Sequence, residues 1–175
     1  MILPKNYQWL ALENSPRHLL KAIELYGTTE VVGIKNNPVI MSWAEELSLK
    51  QYNNDDIPWC GLYIGVIMKR AGRQVVKDPL WARNWANFGV AVKEPMLGDV
   101  LVFSRESGGH VGLYIGEDKA SYHVLGGNQG NAVSVTRILK ERLIASRRPD
   151  YMQQPLNIRK IKLDSRGVTL SIDEA

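Results

Sequence analysis

Cys60 is the single cysteine of this 175-residue chain, and its surroundings suit a reactive thiol. It lies in the run Asn54-Asp55-Asp56-Ile57-Pro58-Trp59-Cys60-Gly61-Leu62-Tyr63, where two carboxylates and a proline precede a helical pattern. That order predicts a thiol in the first turn of a helix, where unpaired N–H groups and the helix dipole favour a thiolate. Well downstream, Gly108-Gly109-His110-Val111 predicts a histidine entering a strand. One cysteine and one distant histidine are the minimum parts of a thiol nucleophile and its base. The pair needs hydrogen-bond reach and a third group to orient the imidazole. The candidates for that third group are Asn128, Gln129, His123 and Asp118.

Each of these residues also has an ordinary structural explanation. A cysteine in a helix is commonly a small buried hydrophobe. A histidine at a strand start is commonly a surface or satisfied core residue. His18 lies among charged neighbours in the first helical pattern, which predicts a solvated side chain. Trp43, Trp59, Trp81 and Trp85 read as core, with Trp59 also adjoining the thiol. Asn128 follows Gly126-Gly127 and fits a turn equally well.

The elements that would position these groups follow from the punctuation of the chain. Ser15-Pro16 predicts a helix start with Ser15 as cap, ending at Gly27. Asn37-Pro38 predicts a second, with Val39, Ile40, Trp43 and Leu47 at helical spacing. Asp55 or Asp56 with Pro58 predicts the third, which carries Cys60 and stops at Gly72. Asp78-Pro79 predicts a fourth, through Trp81 and Trp85 to Gly89. The period then changes. Residues 99–105, 110–116, 120–125, 131–137 and 142–147 are short, rich in Val, Ile, Leu or Tyr, and separated by Gly, Ser, Asn and Asp. The pattern predicts an α+β layout, an antiparallel sheet packed by the preceding helices. Beyond Pro149, two apolar stretches around Asp164-Ser165-Arg166-Gly167 predict a terminal hairpin.

Composition bounds the classes. The chain is 45% hydrophobic and 23% charged, which fits a globular domain with a core and not a disordered chain. No apolar run approaches the ~18 residues of a membrane span, so no stable membrane insertion is expected. A single cysteine excludes an internal disulfide and a cysteine-based zinc cluster. The formal charge of +4 is diffuse, with a mild basic bias in the C-terminal third. That bias suits anionic polymers such as bacterial cell wall. No nucleic-acid recognition motif accompanies it.

Four stretches together resemble the papain-like peptidoglycan amidohydrolases of the NlpC/P60 and CHAP superfamily, and within it a subfamily of phage lysis proteins and bacterial secreted effectors. They are Val32-Gly33-Ile34-Lys35-Asn36-Asn37-Pro38-Val39-Ile40, Asp56-Ile57-Pro58-Trp59-Cys60, Gly98-Asp99-Val100-Leu101-Val102-Phe103, and Gly109-His110-Val111-Gly112-Leu113-Tyr114-Ile115-Gly116. Val124-Leu125-Gly126-Gly127-Asn128-Gln129-Gly130-Asn131-Ala132-Val133 matches the same subfamily. The resemblance divides the chain into an N-terminal helical extension (1–29), a papain-like hydrolase core (30–149) and a C-terminal extension (150–175) expected to form the hairpin. It implies Cys60 as nucleophile, His110 as base and Asn128 as the orienting residue. Another branch of the family uses a second histidine, a position that His123 nearly fits.

The resemblance further implies cysteine-dependent hydrolysis of a peptidoglycan amide, in the stem peptide or at the muramoyl–L-alanine link, with no cofactor and no metal. The expected partner is bacterial peptidoglycan. The N-terminus lacks the pattern of a cleaved secretory signal, so the expectation is cytoplasmic synthesis followed by release or secretion to the cell wall. The lysin-like reading stands beside two alternatives. One is an antibacterial effector with the same chemistry and an immunity or delivery protein. The other is a catalytically inactive wall-binding module.

Overall fold

The computed structural model describes residues 3–31, 33, 35–106, 108–166, 168, 170 and 171. Three helices, α1 (Arg17–Glu24), α2 (Pro38–Glu46) and α3 (Cys60–Arg70), precede six strands. These are β1 (Val90–Ala91), β2 (Val100–Ser104), β3 (Gly109–Glu117), β4 (Ser121–Gly126), β5 (Ser134–Leu139) and β6 (Leu143–Arg148). They form one antiparallel sheet in the order β1-β6-β2-β3-β4-β5. The mixed helix-and-strand layout matches the sequence pattern.

Strand alternation builds two apolar layers. Val100 and Val102 of β2 and Val111, Leu113 and Ile115 of β3 face the helices in the main core. Leu101, Phe103 and Tyr114 turn to the other face and join Tyr122, Val124 and Ile138. This is the period of two expected of a pleated strand, but both faces are covered. Helix α3 is central, with every residue from Cys60 to Met68 buried, so it lacks the polar stripe of a surface helix.

Several boundaries differ from the sequence expectation, for local reasons. Helix α2 starts as expected, with Asn37 Oδ1 accepting from the Val39 N–H at 2.7 Å. At α1 the cap position is Pro16 and Ser15 makes no capping bond. At α3 the cap position is Trp59, also without a side-chain cap. The buried Asp55 carboxylate instead accepts from the Asn37 N–H at 2.7 Å, pinning the 36–37 segment to the chain before α3. The fourth helix is a short 3-10 stretch, Ala82–Asn87. Asp78 adopts φ +50, which is unsuited to an N-cap. Side chains also occupy nearby carbonyls: Asn84 Nδ2 donates to Asp78 O (3.0 Å) and Trp85 Nε1 to Pro79 O (2.9 Å). A further 3-10 stretch, Lys5–Ala11, opens the chain.

The terminal hairpin is corrected among the described residues. Its two arms pair with the sheet, through Lys162 beside Glu117 and Leu170 beside Arg137. The Glu117 N–H donates to Ile161 O and the Leu163 N–H to Glu117 O, both at 2.9 Å. The buried Glu117 carboxylate draws the segment in through Lys162 (2.6 Å), assisted by Lys140 (3.2 Å) and Lys160 (3.6 Å). Residues 167, 169 and 172 of the expected hairpin lie outside the described residues. The two chain ends also meet, through Arg159–Glu13 (2.6 Å) and Asn157 Nδ2 donating to Asn14 O.

Candidate active site

Packing places Cys60 at the first position of α3. Trp59 is fully buried, packs against Trp43 with ring centroids 5.9 Å apart, and donates from Nε1 to Glu30 Oε1 at 2.5 Å. The next residue must be glycine. A Cβ on Gly61 would stand 2.1 Å from Pro79 O, so only a bare backbone lets the 79–81 segment close over the first turn of α3. That segment forms one wall of a cavity of about 320 Å³.

The Cys60 side chain lies where α3 meets the start of β3. Burial pushes its thiol up, and the backbone N–H groups of Val111 and Gly61, with the Arg105 guanidinium, oppose that shift. The sequence expectation of an already favoured thiolate is therefore corrected. A thiol on a residue only 3% exposed loses more hydration than a helix end restores. A neighbouring base is needed to ionise it.

His110 is buried beside the end of β4. Its Nε2 lies 3.0 Å from Gln129 Oε1, and hydrogen bonding fixes the proton on this contact. Gln129 Nε2 donates to Val124 O (3.1 Å) and Ser134 O (2.6 Å), so the amide oxygen is the atom turned to the imidazole. An amide oxygen can only accept. His110 Nε2 therefore carries the hydrogen, and in the neutral ring Nδ1 holds the lone pair. Gly126 gives the imidazole its space, because a Cβ there would stand 3.2 Å from His110 Nε2 and 2.8 Å from Gln129 Oε1.

The structure brings Cys60 and His110 to one end of the sheet. The sulfur meets the N–H of Val111, the residue directly after His110. The orienting residue favoured from sequence is corrected. Asn128 adopts φ +53, and its buried Oδ1 has no hydrogen-bond partner among the described residues. It supplies the left-handed turn that asparagine tolerates, and Gln129, one residue on with a longer side chain, reaches back to His110. His123 and Asp118 belong elsewhere. His123 contacts Tyr7 Oη (2.6 Å) and Asp118 Oδ2 (3.1 Å), beside Arg137 and towards the Glu117 end of β3. His18 is not solvated. It is buried, and its Nε2 lies 2.7 Å from Gly98 O.

The cavity before Cys60 is lined by Ile57, Pro58, Leu80, Trp81 and Ala82, together with Arg105, Gly108 and Gly109. Trp81, expected in the core, is 69% exposed here. Arg105 and Trp81 were not singled out as site residues from sequence. An exposed tryptophan carries meaning only once a cavity is seen beside it. Among the described residues no group of three or more His, Cys, Asp or Glu is arranged to hold a metal. No protein-family model matches this chain, and no curated protein matches it.

Proposed function

We propose that this chain is a papain-like cysteine hydrolase that cleaves an amide bond of peptidoglycan, in the stem peptide or at the muramoyl–L-alanine link. The observation that carries the proposal is the Gln129-held tautomer of His110, whose Nδ1 lone pair is the base position, on the strand whose next N–H meets the Cys60 sulfur. His110 Nδ1 takes the thiol proton, and the thiolate attacks the amide carbon. First-turn N–H groups of α3, without helical partners, stabilise the oxyanion. The C–N bond then breaks as the imidazolium returns its proton to the leaving amine. Water, deprotonated by His110, attacks the thioester, releasing the acid and restoring the thiol.

The cell-wall substrate rests on the resemblance of the Cys60, His110 and Gly126–Val133 stretches to peptidoglycan amidohydrolases. The biological setting is lysin-like cell-wall lysis. The effector alternative uses the same residues and differs only in delivery and an immunity partner. The test is digestion of purified sacculi. The wild-type protein releases soluble muropeptides, and folded Cys60→Ala releases none above background. A folded Cys60→Ala protein that still digests sacculi refutes the mechanism.

One observation favours a second reading, a wall-binding module without activity. Burial pushes the Cys60 thiol up, as in an inert core cysteine. Alkylation across pH separates the two. A thiol paired with His110 reacts well below the pH at which a free cysteine does, whereas an inert one does not.

A further inference from the structure

We infer that the cavity before Cys60 recognises a substrate segment carrying a carboxylate next to the amide to be cut, with Arg105 as the carboxylate-binding residue and Trp81 as the wall against which the segment lies. This deepens the hydrolase reading and rests on it for the amide, but the recognition itself stands on the shape and charge of the cavity.

Three observations carry it. First, among the described residues lining the cavity, Arg105 is the only charged one. Its guanidinium is half-buried and acts across a partly desolvated space, where a charge-assisted bond is stronger than in water. Second, a neighbouring guanidinium reinforces the sign. Arg83 Nε donates to Gly108 O at 2.8 Å, and its Cγ would stand 3.0 Å from a Cβ on Gly109, so Arg83 lies along the glycine rim. Third, the remaining walls are apolar and the volume, about 320 Å³, is small. Such a space takes a few atoms of a short, small-side-chain peptide beside one anionic group. The Arg105 field reaches the sulfur as well, where it favours the thiolate. One residue thus holds the acidic segment and helps ionise the nucleophile beside it. Planar guanidinium geometry selects a carboxylate by paired N–H contacts.

Alkylation of Cys60 by iodoacetate and iodoacetamide, reagents of similar size that differ by a carboxylate, tests this without any assay of hydrolysis. In the wild-type protein the ratio of the two rates, iodoacetate over iodoacetamide, is raised and falls as salt is added. In Arg105→Gln the ratio drops by about fivefold. In Arg105→Lys, which keeps the charge, it stays closer to wild type than in Arg105→Gln. An unchanged ratio in folded Arg105→Gln overturns the inference, and so does failure of both reagents to reach Cys60 in the folded protein. The two readings fail separately. Sacculus digestion by Cys60→Ala removes the hydrolase and leaves the ratio standing, whereas an unchanged ratio in an active enzyme removes only Arg105.

Discussion

His110 and His123 are both buried and lie on neighbouring strands, and the sequence offered the first as base and the second only as one candidate for its orienting partner. Their partners separate them. His123 has both ring nitrogens engaged, Nδ1 with Tyr7 Oη at 2.6 Å and Nε2 with Asp118 Oδ2 at 3.1 Å. Asp118 also holds Arg137 at 2.6 Å. That chain of bonds ties the N-terminal 3-10 stretch to the sheet. Burial holds the His123 pKa down, against the pull of Asp118. His110 instead meets a neutral amide whose own N–H groups are spent on backbone carbonyls. An orienter of that kind fixes the tautomer without adding a charge, on the strand whose Val111 N–H acts on the Cys60 thiol. Two buried histidines can thus differ in role through the chemistry of one neighbour each.

The largest expected effect breaks this comparison outright if it is wrong. His110→Ala lowers sacculus hydrolysis about a thousandfold, whereas His123→Ala, where folded, keeps most of its turnover. The stability costs run the other way. His123→Ala loses about 2–4 kcal/mol in urea unfolding, because Tyr7 and Asp118 are left without their shared partner. Equal activity losses at the two positions would erase the distinction.

A third buried histidine calibrates the pH behaviour. Burial pushes His18 down to about 4, against the Gly98 carbonyl bond and with help from Arg73. The unfolded chain titrates near 6.5, so between about 6.5 and 4 the unfolded state binds a proton that the folded state refuses. Stability is full above that window and falls by about 3 kcal/mol as pH drops through it. Urea unfolding of wild type and His18→Gln at the two ends of the window checks this. The substituted protein shows the flatter pH dependence.

Gln129 supplies a finer cut. Gln129→Ala lowers kcat/KM about ten- to a hundredfold and shifts the acidic limb of the pH–rate profile, because the His110 tautomer is no longer held. Gln129→Glu, which keeps an acceptor, recovers part of the rate. The smallest effect is at the neighbouring turn. Asn128→Gly, which suits φ +53, changes rate by about twofold or less. A loss at Asn128 matching that at Gln129 would return the orienting role to Asn128.

Strands β2 to β6 were legible because their period and separators are local, whereas the two-residue β1 carries too short a pattern to be read. Asn37-Pro38 was legible because an N-cap is a short-range contact, and α2 starts where those residues place it. Asp55 misled as a cap, since its acceptor capacity is claimed by the Asn37 N–H across the fold. The 78–89 helix failed because Asn84 and Trp85 side chains claim the preceding carbonyls. At the site, Cys60 and His110 could be proposed from residue type and order. The choice among Asn128, Gln129, His123 and Asp118 could not, because it depends on which side chain a tight turn throws back toward the imidazole. Arg105 and Trp81 gave no local signal, since a cavity wall has no sequence period.

The sequence by itself determined the order of α1 to α3 and of β2 to β6, the single thiol and the histidine at a strand start, because propensity, capping and alternation act over a few residues. Only the tertiary structure decided which amide holds which imidazole, how far burial opposes the thiolate, and where a cationic cavity opens. Those outcomes depend on desolvation and on contacts between residues far apart in the chain, and both come into being only when the sheet closes on α3.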